Sequence, residues 1–150
     1  MRNITQMPLV KEIAFSMMLC VINFSCYADV AVVVHPSSNI ESLTTRQVKK
    51  LFLGRLRMLP NTGREAAVVD QDADSASHKL LYSKLIKMTP VKLRRYRAAY
   101  LFSGKGTLPV TVKGDEKVKD FVADSLSAIG YIDAALVDDS VKSVYLLSVE

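Results

Sequence analysis

The chain has no tryptophan, and its only two cysteines, Cys20 and Cys26, fall within the first 26 of its 150 residues. No cysteine from residue 27 onward means no disulfide and no thiolate metal site in that part of the chain. H-E-x-x-H, a P-loop and G-x-G-x-x-G are all missing, and "SGKG" (Ser103 to Gly106) lacks the P-loop frame. There is no G-x-S-x-G nucleophile elbow, so His35 and His78 have no serine or cysteine partner legible in the sequence. Repeats, low-complexity tracts and internal linkers are also lacking. These absences argue against an enzyme and imply no metal and no cofactor.

The first 28 residues read as a cleavable leader. Arg2 and Lys11 give it a positive start, Ile13 to Phe24 is almost wholly apolar, and Cys26 and Ala28 are small enough for a signal peptidase. The apolar run is shorter than the roughly 20 residues a spanning helix needs. Cleavage after Ala28 would leave a domain of residues 29–150 in the periplasm. Without Arg2, Lys11 and Glu12, 18 basic and 14 acidic residues remain of the chain's 20 and 15. That modest positive charge suits an anionic solute or the envelope surface, and export argues against nucleic acid as a partner.

The pattern along residues 29–150 alternates strands with helices. "DVAVVVHP" is a β-branched run stopped by a proline and predicts a buried strand. Thr44 followed by Gln47 is a capping-box pattern, Val48, Leu51 and Phe52 form an apolar stripe, and Gly54 ends that helix. Glu65 to Asp70 predicts a second strand, and Asp74 or Ser75 starts a second helix. Thr89 and Pro90 begin a third as N-cap and first residue. Its inward side is expected to carry Leu93, Tyr96 and Tyr100. Asp115 is expected to cap a fourth helix, with Val118, Phe121 and Val122 inward. "AIGYID" and "SVYLLSV" predict the last strands. The expected fold class is α/β: a mixed sheet flanked by helices on both faces.

The candidate site is "VVDQDADSASHKLLY", residues Val68 to Tyr82. Asp70, Asp72 and Asp74 have the spacing of a calcium loop, but Ser75 and Leu81 stand where the glycine and closing glutamate belong. Two readings remain open. In one, Ser75, Ser77, His78 and the helix start cradle an oxyanion. In the other, Asp74 or Ser75 caps the helix and His78 faces solvent. Lys84, Lys87, Lys92, Arg94, Arg95 and Arg97 form a basic patch, either a solvated face or a docking surface.

Taken in order, "AVVVHPSS", "VKKLFLGR", "VVDQDADSASHKLLY", "YLFSGKGTLP" and "SAIGYIDAALV" resemble the exported phosphate-binding component of phosphate ABC transporters. The resemblance implies one lobe of a type II periplasmic binding protein. It also implies a ligand segment, Arg-x-x-x-Ser-Gly-Thr, onto which Ser75 and Ser77 match at the serine and threonine. Gln71 stands at the arginine and Ala76 at the glycine; Met58 and Leu59 stand where a tryptophan often follows the "FLGK" motif. The expected oxyanion site is therefore Gln71, Ser75, Ser77 and His78, with Ser37 and Ser38 lining the same mouth. The expected function is periplasmic solute binding of phosphate or a related oxyanion, handed to an ABC transporter permease or a sensor. A homodimer across the open crevice would supply the missing wall. The alternative is an envelope interaction or regulatory module derived from one lobe, with a protein partner.

Overall fold

Valines at 30 and 32–34, with Ala31, leave no polar side chain on β1 (Val30–Val34), and all five are buried. The computed structural model describes residues 28–149. The leader expected over residues 1–28 lies, but for Ala28, outside them.

Around β1 the chain builds a five-stranded mixed sheet. The other strands are β2 (Ala67–Gln71), β3 (Val110–Val112), β4 (Ala128–Asp133) and β5 (Lys142–Leu147), in the order β3-β2-β4-β1-β5. β2 runs parallel to β3 and β4, whereas β1 runs antiparallel to β4 and β5. Side chains alternate across a strand, so β1 and β4 each serve two cores. Val30, Val32, Val34, Ile129 and Tyr131 face one layer, and Ala31, Val33, Ala128 and Ile132 face the other.

The first layer holds three helical segments. α1 (Thr45–Phe52) is opened by Thr44, whose hydroxyl accepts from Gln47 N at 3.2 Å while Gln47 Oε1 accepts from Thr44 N at 2.8 Å. It buries Val48, Leu51 and Phe52, each stabilising the fold by about 2 kcal/mol. Gly54 follows at φ 72°, a left-handed turn that stops the helix. α2 (Ala76–Leu80) runs on into a π-helical turn, Leu81–Ile86, that buries Leu81, Tyr82, Leu85 and Ile86. α3 (Pro90–Phe102) starts on the Thr89 cap with Pro90 in its first turn. Its inward side buries Leu93 and half-buries Tyr96 and Tyr100.

The second layer is α4 (Asp115–Ala123), which buries Val118 and Val122 and leaves Phe121 half-buried. Gly130 lets it sit close. A Cβ there would come within 2.5 Å of Val118 Cγ1. The expected α/β architecture with helices on both faces is what the chain adopts. Two local expectations change, and one strand is added. Gly114, not Asp115, is the N-cap of α4, because Asp115 turns its side chain toward α2 and β2. Arg97, expected among the outward cations of α3, turns inward to Asp70. Val110–Val112, for which the sequence carried no expectation, add the short edge strand β3.

Candidate functional site

The C-terminal end of β2 delivers two polar side chains into the protein, Asp70 and Gln71, both buried. Each is fully engaged, and by different partners.

Asp70 has no exposed surface, so its charge requires compensation. One carboxylate oxygen accepts from the Tyr131 hydroxyl and from Gln71 N, the latter at 2.9 Å. The other accepts from the Tyr82 hydroxyl at 2.9 Å and from the Arg97 guanidinium. Arg97 also donates to Tyr82 Oη at 2.8 Å. Burial, reinforced by the Asp70 charge, pushes both tyrosine hydroxyls well above their ordinary pKa, so they stay protonated and act as donors.

Gln71 reaches the other way. Its Nε2 donates to Asp115 Oδ1 at 2.7 Å and to the Tyr131 carbonyl at 2.8 Å. Ser77 Oγ donates to the same Asp115 oxygen at 2.9 Å, and Asp133 N does so at 3.1 Å. Three donors from three elements thus converge on one carboxylate oxygen carried by the first residue of α4. Ser75 caps α2: its Oγ donates to Gln71 Oε1 and accepts from His78 N at 3.4 Å.

The structure therefore brings Gln71, Ser75 and Ser77 together, with Asp115 at their centre. Sequence reading missed Asp115 as a site residue. Its acidic side chain at a helix start is adequately explained as a favourable dipole partner, which hides the long-range contact. His78 is placed differently. It is 7% exposed, lies on Tyr82 with ring centroids 4.4 Å apart, and lines an apolar hollow with Met88, Pro90 and Leu93. Burial, the largest influence, lowers its pKa, opposed by Asp70 and Asp72 and assisted by Arg97 and Lys79.

Ser37 and Ser38 are not brought to this cluster. They follow the C-terminal end of β1, where Val34 pairs with Ile129, whereas Asp133 at the cradle pairs with Val30 at the start of β1. The antiparallel run of β1 sets them about 13 Å further along the sheet. Ser37 N donates to His35 Nδ1 at 3.0 Å; Ser38 Oγ accepts from Ile40 N at 3.3 Å.

Chemically, the cradle can hold one anionic oxygen through two side-chain donors and one backbone donor. In this structure that oxygen belongs to Asp115. Neither Ser75 nor Ser77 bonds a histidine ring among the described residues.

No protein-family model matches the chain, and no curated protein matches it. Solved structures do. The chain is similar to a phosphate ABC transporter substrate-binding protein with bound phosphate from Clostridium perfringens, at TM-score 0.61 and 21% identity over 79% of this chain and 44% of that one. It is also similar to an ABC-type phosphate transport receptor from Vibrio cholerae, at TM-score 0.60 and 21% identity over 78% and 46%. PstS from Borrelia burgdorferi matches at TM-score 0.56 and 17% identity over 83% and 49%. The chain spans less than half the length of these proteins. It folds as one lobe of the phosphate-binding-protein fold.

Proposed function

We propose that this protein is a non-catalytic interaction or regulatory module of the cell envelope, built on one binding-protein lobe, that holds no phosphate by itself. One observation carries this reading: the side-chain donors of the cradle, Gln71 Nε2 and Ser77 Oγ, are engaged by Asp115. An incoming dianion would have to displace that carboxylate and would lie beside Asp72 and Asp74. The arginine that would clamp phosphate bidentately is Gln71 here, and Arg97 is engaged by Asp70. A single lobe also leaves a solute open to water, where hydrogen bonds contribute little net energy.

The second reading is periplasmic binding of phosphate or a related oxyanion, passed to a transporter permease. The convergence of three donors on one anionic oxygen favours it, because a phosphate oxygen could take the place of Asp115 Oδ1. Under that reading a second chain, or a homodimer across the crevice, would provide the opposing wall. Both readings place the protein in the periplasm after removal of residues 1–28, and neither involves a cofactor, nucleic acid or catalysis. Calorimetric titration of the purified protein with phosphate, with sulfate as control and light scattering for oligomeric state, decides between them. The module reading expects no heat up to about millimolar phosphate. Micromolar binding of phosphate over sulfate would establish the receptor instead.

A further inference from the structure

From Ser75 to Gly114 the chain contains nine lysines and arginines and no aspartate or glutamate. Of these nine, only Arg97 has an ion-pair partner among the described residues. This stretch supplies α3, whose outward side is unusual in a second respect. Val91, Arg94, Arg95, Ala98, Leu101 and Phe102 recur at spacings of three, four and seven, so they share one helix face. All six are exposed. The three largest apolar members are 48%, 54% and 92% exposed at Val91, Leu101 and Phe102. α3 is thus apolar on two sides: one packs on the core through Leu93 and on the end of α1 through Tyr96 and Tyr100, and the other is exposed among the described residues. Lys105, exposed in the turn just beyond, adds a further cation at the same end.

We propose that this outward ridge docks the protein on an anionic lipid surface. Exposed apolar side chains next to arginines can enter the acyl boundary of a bilayer while the cations meet its anionic headgroups, where each Lys or Arg contributes about 1 kcal/mol. With 13 residues α3 is too short to cross a bilayer, for which about 20 are needed. Its side chains project from the helix into solvent, with Phe102 92% exposed, so a bilayer surface can receive them without a preformed groove. Specific protein interfaces set their register with complementary potentials. Forty residues without one carboxylate provide attraction but no register, which suits a diffuse anionic surface better than a folded partner. A second copy is disfavoured on this face, because a two-fold contact would set Arg94 and Arg95 against their own kind. The inference goes beyond the crevice readings and depends on neither, since none of the ridge residues belongs to the Asp70 or Asp115 clusters.

The absence of native tryptophan makes F102W a single reporter on the ridge. Its emission is followed with phosphatidylcholine vesicles carrying about 30% phosphatidylglycerol, and with phosphatidylcholine alone. The expected result is a blue shift with the anionic vesicles only, reversed by about 0.5 M salt. R95E on the F102W background is expected to weaken binding at least about five-fold. The charge-matched K117E on α4, the opposite layer, is expected to leave it unchanged. Both positions are exposed, and thermal melts check that each variant folds. Binding through the apolar leader, if retained, would not distinguish R95E from K117E. Unshifted emission with the anionic vesicles overturns the proposal and turns the ridge over to a protein partner. Equal loss in R95E and K117E also overturns it, because attraction would then follow net charge and not this face.

Discussion

Ser77 on α2 and Asp115 at the start of α4 stand 38 residues apart in sequence and share a 2.9 Å hydrogen bond across the end of the sheet. With Gln71 and Asp133 N, that contact brings three donors onto one carboxylate oxygen of the chain, where the second reading would put an oxyanion. Four predictions test this arrangement and its surroundings.

Replacing Asp115 by alanine removes the acceptor from Gln71 Nε2, Ser77 Oγ and Asp133 N. The loss should cost about 1–3 kcal/mol in urea unfolding, since three buried or half-buried donors lose a partner. The emptied cradle should then respond to oxyanions. Thermal melting of the variant is expected to rise in phosphate or sulfate relative to chloride at matched ionic strength, and that of the wild type is not. An equal rise in both proteins would show that Asp115 does not occupy the cradle in solution.

Gln71→Arg introduces the kind of guanidinium that can clamp phosphate bidentately, but next to Asp115 it should form an internal ion pair. The single variant is therefore expected to show no phosphate heat in calorimetry. Q71R combined with Asp115→Asn frees the guanidinium and should bind phosphate at least about ten-fold more tightly than either single change. Strong binding by Q71R alone would mean that Asp115 is readily displaced.

Arg97→Ala leaves the fully buried Asp70 without its cation. Breaking a buried pair from one side costs about 3–5 kcal/mol, which urea denaturation would register as a large fall in midpoint. Tyr131→Phe removes one hydroxyl donor to the same carboxylate and should cost only about 1–2 kcal/mol. The order of the two effects is the test: a larger loss for Tyr131→Phe would relocate the main support of Asp70.

His78 ties stability to acid. Burial lowers its folded pKa below the ordinary value of 6.5, so between the two values the unfolded chain binds more protons. Stability should rise with pH through that window, hold above about pH 6.5, and fall as the solution is acidified below it. Melting curves from neutral pH downward should show a shallower acid-side slope in His78→Gln. An unchanged slope would assign the acid sensitivity to other groups.

Much of the fold was legible because its signals are local. A capping box spans four residues, a proline in the first turn of a helix acts on its own backbone, and apolar spacing of three and four fixes a helix face. So α1, α3, α4 and strands β1, β2, β4 and β5 follow from the residues that form them, and the Ser75 cap does too. The similarity of "LFLGR" and "AIGYID" to the phosphate-binding component pointed to the same lobe.

What the tertiary structure decided is which distant side chains meet. Asp115 satisfies the rules for a helix start, and only the packing of α4 against β2 and β4 turns it to Gln71 and Ser77. Arg97 is one of four cations in six residues of α3, and nothing local distinguishes it from Arg94 or Arg95 until Asp70 is buried beneath it. Ser37 and Ser38 read as mouth residues because they follow a strand, yet the antiparallel run of β1 carries them to the other end of the sheet. Backbone preferences act within a turn or so of the chain. The pairing of a buried charge depends on strand order and direction, which are set by burial of both cores at once.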